Sequence, residues 1–275
     1  MTPTIAKDLL RRYGVRAGRR LGQHFLVDPN TVRRIVRLAD ISPDETILEI
    51  GPGLGSLTVV LAEAAARVVA VELDPKLAEA LGDVVAGRDN VEVVVADALD
   101  ADLRALCGGP ARLVANLPYD VSTPVVMRVL DEVPEVAGGL VMVQRELGER
   151  WTAAAGDPSY GSTSVRIAYH AEAAVVGDVP ATVFLPPPKV SSVLVAFTRR
   201  GEPPVLIDDR ERFFRLVRDA FAHRRKTLRN ALVASGRPLG AVERALERTG
   251  LDDRVRPQRL TLPDFARVYD ALAGS

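Results

Sequence analysis

Short apolar runs recur along the first 200 residues, and stretches with helical periodicity separate most of them. Apolar positions repeat every three to four residues in the stretches 28–39, 56–65, 75–86 and 122–132, which predicts helices there. Strands that alternate with helices are typical of an α/β fold, with a parallel sheet covered on both faces. The continuous apolar runs predict strands at 46–50, 67–72, 91–95, 111–115 and 139–144, followed by two more near 168–176 and 191–198.

The pattern changes after residue 200, where only helical periodicity remains. A polar, proline-rich segment at 199–204 separates the two parts, and helices are predicted at 209–234, at 238–249 with Gly250 as the C-cap, and from about Thr261 to Ala273. Thr261 and Asp264 have the spacing of a capping box at the start of the last helix. We therefore predict an α/β domain over 1–200, which includes a basic N-terminal arm, and a small all-helical domain over 201–275.

Charge and composition narrow the class of protein. The 275 residues carry no net charge, yet arginine and lysine are concentrated at 1–40 and 210–230, which favours a polyanionic partner on one side of the molecule. Cys107 is the only cysteine, and the three histidines lie far apart in sequence, so neither a disulfide nor a zinc site is predicted. The chain shows no secretory signal and no apolar run long enough for a membrane span, and we expect a cytoplasmic protein.

A glycine-rich turn follows the first long strand. Gly51, Gly53 and Gly55 stand between the strand 46–50 and a helix, where such a turn admits a ligand close to the backbone and exposes N–H groups. The spacing G-x-G-x-G differs from the dinucleotide pattern G-x-G-x-x-G, and it favours a nucleoside with an amino-acid tail over a pyrophosphate. A tight turn without a ligand is the structural alternative.

Polar residues end the following strands. Glu72 suits the hydroxyls of a ribose, and Asp97 suits the amino group of an adenine. Glu49 has either a ligand-binding or a structural role. Asn116 ends the fourth strand of the series. Ligands of such sheets bind at the carboxyl ends of the strands, so these residues are predicted to share one site.

The motif Asn116-Leu117-Pro118-Tyr119 has a chemical use if the ligand is S-adenosylmethionine and the methyl acceptor is an exocyclic amine of a base. The side-chain oxygen of Asn116 and the carbonyl of Leu117 supply two acceptors for the amine protons, which makes the nitrogen lone pair available. Pro118 restrains the turn, and Tyr119 supplies a ring on which a base can stack. No strong base is needed, because the proton can leave after methyl transfer.

Several motifs together resemble the ribosomal RNA adenine dimethyltransferases of the KsgA/RsmA type. A motif of the NLPY type marks amino-group methyltransferases, and the resemblance extends from about residue 20 to 270. It implies a Rossmann-like methyltransferase domain with a helical C-terminal domain that binds RNA or the ribosome. The motifs that carry the resemblance are GQHFL (22–26), EIGPGLGSLT (49–58), VELD (71–74), ADAL (96–99), NLPY (116–119) and FLPPPKVSS (184–192).

The resemblance also implies a reaction and a set of site residues. The enzyme would transfer methyl groups from S-adenosylmethionine to N6 of two adjacent adenosines near the 3′ end of 16S ribosomal RNA, in the small subunit or its precursor. It would act as a monomer and without a metal. Phe184 would face the target adenine opposite Tyr119, with core packing as the structural alternative. Cofactor contacts are implied at His24, Leu26, Gly51, Gly53, Glu72, Asp97 and Asn116.

Alternatives remain open at this stage. A methyltransferase that confers antibiotic resistance by modifying 23S ribosomal RNA shares the cofactor motifs, and a mainly non-catalytic ribosome-assembly factor or a nicotinamide dehydrogenase would use a similar fold. The predicted basic helix around 219–232 favours the small-subunit enzyme, with Arg224, Arg225, Lys226 and Arg229 as phosphate contacts. His24 departs from the asparagine that is usual in the family. The N-terminal arm, Lys7 to Arg20, is interpreted as a disordered RNA-binding extension or a plain tail.

Overall fold

The computed structural model describes residues 1–15, 23–223 and 225–273. Within these residues one unit contains a seven-stranded sheet in the order β4-β3-β2-β5-β6-β9-β7, and β1 pairs with β8 beside it. Strands β2 to β6 run parallel to one another, whereas β9 is antiparallel to its neighbour β6. The strands are β1 (Phe25–Leu26), β2 (Thr46–Ile50), β3 (Arg67–Glu72), β4 (Val91–Val95), β5 (Ala111–Asn116), β6 (Val136–Gln144), β7 (Ala171–Val179), β8 (Phe184–Leu185) and β9 (Ser192–Arg199).

Helices connect the parallel strands and form the second unit. The first unit is Met1–Gly148 with Ala173–Arg199, and the second is Glu149–Glu172 with Arg200–Ser275. The helices are α1 (Pro3–Arg12), α2 (Pro29–Ala39), α3 (Thr58–Ala64), α4 (Pro75–Val84), α5 (Leu103–Cys107), α6 (Ser122–Glu132), α7 (Arg145–Thr152), α8 (Ser162–His170), α9 (Arg210–Phe221), α10 (Leu228–Ala234), α11 (Leu239–Thr249) and α12 (Leu262–Ala273).

The strand and helix alternation of the first unit confirms the predicted α/β class. Strands β2 and β3 begin and end where the apolar runs do, since their residues are buried on both faces of the sheet. Helix α2 starts as predicted: Asp28 accepts a hydrogen bond from the N–H of Thr31 at 2.8 Å, and Pro29 occupies the first turn.

The second unit has its own aromatic core, with Phe213, Phe265 and Tyr269 among its buried residues. Gly250 adopts a left-handed conformation and ends α11 as predicted. The predicted capping box is also present, because the N–H of Thr261 donates to Asp264 at 2.8 Å and the N–H of Asp264 donates to the Thr261 hydroxyl at 3.4 Å.

The single helix predicted over 209–234 is wrong. The chain leaves the helix after Phe221 and forms a turn, in which the N–H of Lys226 donates to the carbonyl of His223 at 2.8 Å. The Thr227 hydroxyl then caps α10 by accepting from the N–H of Asn230 at 3.3 Å. Arg225 and Lys226 therefore lie in a turn and not on a helix, and Arg224 lies outside the described residues.

Residues 168–170 belong to α8 and not to the strand predicted near 168–176, which starts at Ala171. Helix α8 places Val165 and Tyr169 in the same core as Phe213, so residues 149–172 pack with the helical unit. The predicted boundary at residue 200 leaves residues 149–172 in the wrong unit. In the sequence, α8 is separated by the following strands from the helices that it contacts.

The N-terminal arm is ordered where it is described. Helix α1 is capped by Thr2, whose hydroxyl accepts from the N–H of Ile5 at 3.5 Å. Ala6 and Leu10 are buried against Leu54 and Leu77. The interpretation of a disordered extension is thus wrong for this helix, because its apolar face packs on the domain. Residues 16–20 of the arm lie outside the described residues.

Gly139 tests how tightly the middle of the sheet is packed. A Cβ at this position would lie 2.1 Å from the carbonyl oxygen of Leu113, a rigid backbone atom of β5. We expect Gly139→Ala to destabilise the protein by about 1–3 kcal/mol or more, since strands β5 and β6 must separate. Gly82→Ala in α4 is the control: it meets no atom within 4 Å and should stabilise the helix by about 0.5–1 kcal/mol. Chemical denaturation measures both, and equal midpoints would contradict the packing.

Candidate active site at the carboxyl ends of the parallel strands

A cleft opens where the parallel strands end, and it lies within the first unit. It encloses about 1240 Å³, including space open to solvent. The carboxyl ends of β2, β3, β4 and β5 contribute to its walls, as expected for ligand sites in such sheets. The predicted residues that the cleft brings together are His24, Leu26, Gly51, Gly53, Glu72, Asp97, Asn116, Leu117, Pro118 and Tyr119.

The turn requires glycine for two reasons: its backbone has positive φ values, and other residues approach it closely. Gly51, Gly53 and Gly55 have φ values of 70°, 58° and 80°, which disfavour residues with a Cβ. A Cβ on Gly51 would lie 3.0 Å from the ring of Pro118, and one on Gly53 would lie 3.1 Å from the ring of Phe25. The turn therefore packs directly on the NLPY motif and on the segment that precedes α2.

The N–H groups of these three glycines are bonded within the protein, whereas exposed N–H groups at the start of the following helix remain a prediction. Gly51 donates to the carbonyl of Val71 at 2.9 Å, and Gly55 donates to the carbonyl of Pro52 at 3.0 Å. The N–H of Gly53 donates to Oε2 of Glu72 at 2.9 Å. The turn is thus held in shape by the protein itself before any ligand binds.

Glu72 and Asp97 combine a structural role with access to the cleft. The Oε1 atom of Glu72 accepts from the N–H of Asp74 at 3.0 Å, and Oδ1 of Asp97 accepts from the N–H of Leu99 at 2.8 Å. A carboxylate has about four acceptor positions, so both groups retain lone pairs for the hydroxyl and amino donors of a nucleoside. Burial is the main cause that raises the pKa of Glu72.

Glu49 is a buried carboxyl group in the wall of the cleft. It is 1% exposed, and its Oε2 atom has no hydrogen-bond partner among the described residues. Burial is the main cause that raises the pKa of Glu49 from 4.5 to about 8, the Thr58 hydroxyl opposes the shift, and the charge of Glu72 adds to it. An unsatisfied buried acceptor suits a ligand that brings a donor or a positive charge.

The amide of Asn116 has a defined orientation. Its Nδ2 atom donates to the backbone carbonyl of His24 at 3.2 Å, which leaves Oδ1 as the acceptor of the side chain. The N–H of Leu117 donates to the carbonyl of Met142 at 3.2 Å and fixes the next residue to β6. Hydrogen bonds therefore fix the segment that carries the two predicted acceptors, the Asn116 oxygen and the Leu117 carbonyl.

Tyr119 is fixed at its hydroxyl. Its oxygen lies 2.7 Å from the hydroxyl of Ser192 at the start of β9, and burial raises the pKa of Tyr119. The ring of His24 lies against the Tyr119 ring, with centroids 5.3 Å apart and planes tilted by 37°. Tyr119 thus presents a held ring at the wall of the cleft, which is the arrangement that stacking on a base needs.

Phe184 is placed differently from Tyr119. It is 3% exposed and packs with Leu26 and Leu194 in the core, and it is not among the residues that line the cleft. Its ring meets the His24 ring edge-on at a centroid distance of 6.5 Å. The core packing foreseen as the alternative is present, and a stacking contact of Phe184 with a base remains a prediction.

Sequence reasoning missed three groups that hold the site together. Ser192 anchors Tyr119, the carbonyl of Pro186 contacts His24, and the Ser56 hydroxyl donates to the carbonyl of Leu26. Ser192 and Pro186 both lie in FLPPPKVSS, a motif noted for its resemblance and not for these contacts. Pairs separated by 73 and 162 residues leave no periodic signal in a single sequence.

Comparisons with known proteins identify the family. The chain matches the family described as ribosomal RNA adenine dimethylase over residues 14–273. It is 49% identical over 267 residues to ribosomal RNA small subunit methyltransferase A of Kineococcus radiotolerans, covering 95% of this chain and 88% of that protein. It is 43% identical to the protein of the same name from Geobacillus thermodenitrificans, covering 98% and 96% of the two chains. The chain belongs to the ribosomal RNA adenine dimethylase family.

Solved structures agree with the fold. The chain is similar to the 23S rRNA methyltransferase ErmE, with a TM-score of 0.69, 30% identity, and coverage of 90% of this chain and 99% of that one. A dimethyladenosine transferase from Plasmodium falciparum has a TM-score of 0.75 at 24% identity, with 89% and 96% coverage, and shows the fold alone. The predicted Rossmann-like methyltransferase fold and the predicted family resemblance are confirmed. The protein is an S-adenosylmethionine-dependent ribosomal RNA adenine methyltransferase.

The residues present fit that cofactor. The cleft offers carboxylates for hydroxyl and amino donors, a glycine turn without side chains, and the unsatisfied Oε2 of Glu49. Within the described residues, no group of three or more His, Cys, Asp or Glu side chains could hold a metal ion. No helix in the described part of the chain is long and apolar enough to cross a membrane.

Glu49 should make the stability of the cofactor-free protein depend on pH. Unfolded Glu49 ionises near pH 4.5, whereas the folded protein keeps its proton up to about pH 8. This contribution to stability is complete below pH 4.5 and is lost towards pH 8, at about 1.4 kcal/mol per pH unit. Glu49→Gln lacks this titration, so its melting temperature should rise relative to wild type between pH 5 and pH 8. Calorimetry at both values checks it, and a constant difference would refute the role of burial.

Proposed function

We propose that the enzyme transfers methyl groups to N6 of two adjacent adenosines near the 3′ end of 16S ribosomal RNA. The substrate is the small ribosomal subunit or its precursor, and the enzyme acts as a monomer in the cytoplasm. The observation that carries the chemistry is the orientation of Asn116, whose Nδ2 donates to the His24 carbonyl and leaves Oδ1 as an acceptor. The choice of RNA is supported by relatives at 43–49% identity that are named small subunit methyltransferase A.

The acceptor amine of adenine is a poor nucleophile, because its lone pair is delocalised into the ring. Oδ1 of Asn116 and the carbonyl of Leu117 accept hydrogen bonds from its two N–H groups and favour a pyramidal nitrogen. Tyr119 holds the base by stacking, for which the base must leave its helix or loop. These groups orient the nitrogen without removing a proton from it, so an amide serves where a carboxylate would be expected.

S-adenosylmethionine, held by the glycine turn, Glu72 and Asp97, would supply the methyl group, and its sulfur would leave as a neutral thioether. The N6 nitrogen would carry the positive charge after the transfer until its proton is lost to solvent. A second S-adenosylmethionine molecule would supply the second methyl group and give N6,N6-dimethyladenosine. The protein's contribution is therefore positioning: a held amide, a held ring and a backbone carbonyl.

The helical unit is proposed to bind RNA or the ribosome. Arg225 and Lys226 are exposed in the turn between α9 and α10, which suits contacts to phosphates. Arg229 is less available, because its guanidinium group lies 2.6 Å from Glu243. Arg224, the fourth residue of this predicted set, lies outside the described residues.

The proposal is tested by methylating purified small subunits, large subunits and free RNA, and then mapping the modified bases. We expect two adjacent dimethyladenosines near the 3′ end of the small-subunit RNA. Modification of large-subunit RNA alone would favour the resistance enzyme, which the 30% identity to ErmE makes the main rival. Binding to small subunits without methylation would favour the assembly factor.

Asn116 is predicted to serve catalysis more than cofactor binding. Asn116→Ala removes the Oδ1 acceptor and should lower the rate of a single methyl transfer by about 100-fold, the size of one lost polar contact in a transition state. The dissociation constant of S-adenosylmethionine should change by less, about threefold.

Asn116→Asp is the matched variant, since it keeps an acceptor oxygen but loses the Nδ2 donor to the carbonyl of His24. We expect a rate between those of the alanine variant and wild type. Single-turnover methylation and equilibrium cofactor binding measure the two effects. An alanine variant as fast as wild type would exclude the amide from the reaction.

A further inference from the structure

His24 contacts the acceptor side of the cleft in three ways. Its backbone carbonyl accepts from Nδ2 of Asn116 at 3.2 Å. Its ring lies 5.3 Å from the Tyr119 ring, and its Nδ1 atom lies 2.7 Å from the carbonyl oxygen of Pro186 in the proline-rich loop. One residue thus meets the amide, the stacking ring and the loop that carries Phe184.

The hydrogen bond to Pro186 shows that a proton is on Nδ1 of the His24 ring. A carbonyl oxygen only accepts, so Nδ1 must carry a proton for this bond to form. The ring is thereby held at one edge by the loop, and its plane is tilted by 37° from that of the Tyr119 ring. The centroid distance of 5.3 Å is within the usual 4.5–7 Å range of favourable aromatic pairs.

Tyr119 is consequently held from two directions. Its hydroxyl lies 2.7 Å from that of Ser192, which is fully buried, and its ring is backed by His24. The hydroxyl bond alone restrains one end of the side chain and leaves the plane of the ring to be set by its neighbours. The imidazole supplies that neighbour, on the wall where the adenine must stack.

We propose that His24 is a positioning residue of the methyl-acceptor site, which joins Tyr119 to the proline-rich loop. Its side chain orients the aromatic wall that receives the adenine, and this role is distinct from the cofactor contact that the family resemblance implies at the same position. The inference rests on the proposed function, because it concerns how the acceptor base is held.

The second methyl transfer should depend on this wall more than the first. An unmodified adenine offers two N6 protons to Oδ1 of Asn116 and the carbonyl of Leu117, whereas N6-methyladenine offers one. With one hydrogen bond lost, more of the orientation must come from stacking. Loosening Tyr119 should therefore cause the monomethylated product to accumulate.

Two substitutions separate the two contacts of the side chain. His24→Phe keeps a ring beside Tyr119 and removes the Nδ1 donor, whereas His24→Ala removes both the donor and the ring. Both keep the backbone carbonyl that holds Asn116. Ser192→Ala is the comparison variant, since it releases Tyr119 at its other end.

The measurements are the dissociation constant of S-adenosylmethionine by calorimetry, kcat and KM for the RNA acceptor, and the ratio of mono- to dimethyladenosine by mass spectrometry. The acceptor parameters are measured at saturating cofactor, so that a change in cofactor affinity does not enter them, and a cooperative thermal melt shows an intact fold. The kcat/KM for RNA should fall by about three- to tenfold in His24→Phe, the size of one hydrogen bond, and further in His24→Ala, which also loses the ring contact. Monomethyladenosine should accumulate more in His24→Ala and Ser192→Ala than in His24→Phe.

A rise in the dissociation constant for the cofactor, with unchanged acceptor parameters at saturating cofactor, would overturn the proposal and make His24 a cofactor ligand. Acceptor parameters equal to wild type in both variants would also overturn it. The variants are assayed on whichever ribosomal RNA the wild-type enzyme methylates. Failure to modify small-subunit RNA is thereby a failure of the proposed function, whereas the ratio of variant to wild type decides the role of His24.

Discussion

The approach of Gly51 to Pro118 is the constraint on which the site depends. A Cβ on Gly51 would lie 3.0 Å from the proline ring, so only glycine lets the turn after β2 and the motif after β5 lie side by side. The two strands are hydrogen-bonded neighbours in the parallel sheet, and their ends therefore reach the same edge. This contact places the glycine turn beside the NLPY motif, and the proposed direct transfer of a methyl group between two bound molecules needs these two segments close together.

The same edge carries two buried carboxyl groups, Glu49 and Glu72, whose burial the fold compensates to different degrees. The burial of the Glu72 carboxylate is partly compensated, since it accepts hydrogen bonds from the N–H groups of Gly53 and Asp74 and thereby shapes the turn. Glu49 has no such compensation at Oε2 among the described residues, and its burial disfavours the ionised form. These two buried carboxyl groups cost stability, and the apolar sheet below them offsets that cost.

The sequence predicts those features that have a local pattern. Strands β2 and β3 are continuous apolar runs, and the polar residues Glu72 and Asn116 end their strands where the pattern says they should. Features that depend on residues distant in sequence were not predictable. These are the packing of α1 on the first unit through Ala6 and Leu10, and the assignment of α8 to the helical unit. The break after Phe221 has a weak signal in the sequence, because the basic residues of the turn also suit a helix. Only the N-cap residue Thr227 marks the start of a new helix.

A backbone carbonyl anchors Asn116, so position 24 contributes to the site in two separate ways. Any residue at this position offers the same carbonyl to Nδ2 of Asn116, so the orientation of this amide does not depend on which side chain stands there. The side chain is then free to serve other contacts, and in this protein the imidazole contacts Tyr119 and the carbonyl of Pro186. The backbone thus fixes the Asn116 amide whatever the side chain, while the imidazole joins the Tyr119 ring to the proline-rich loop.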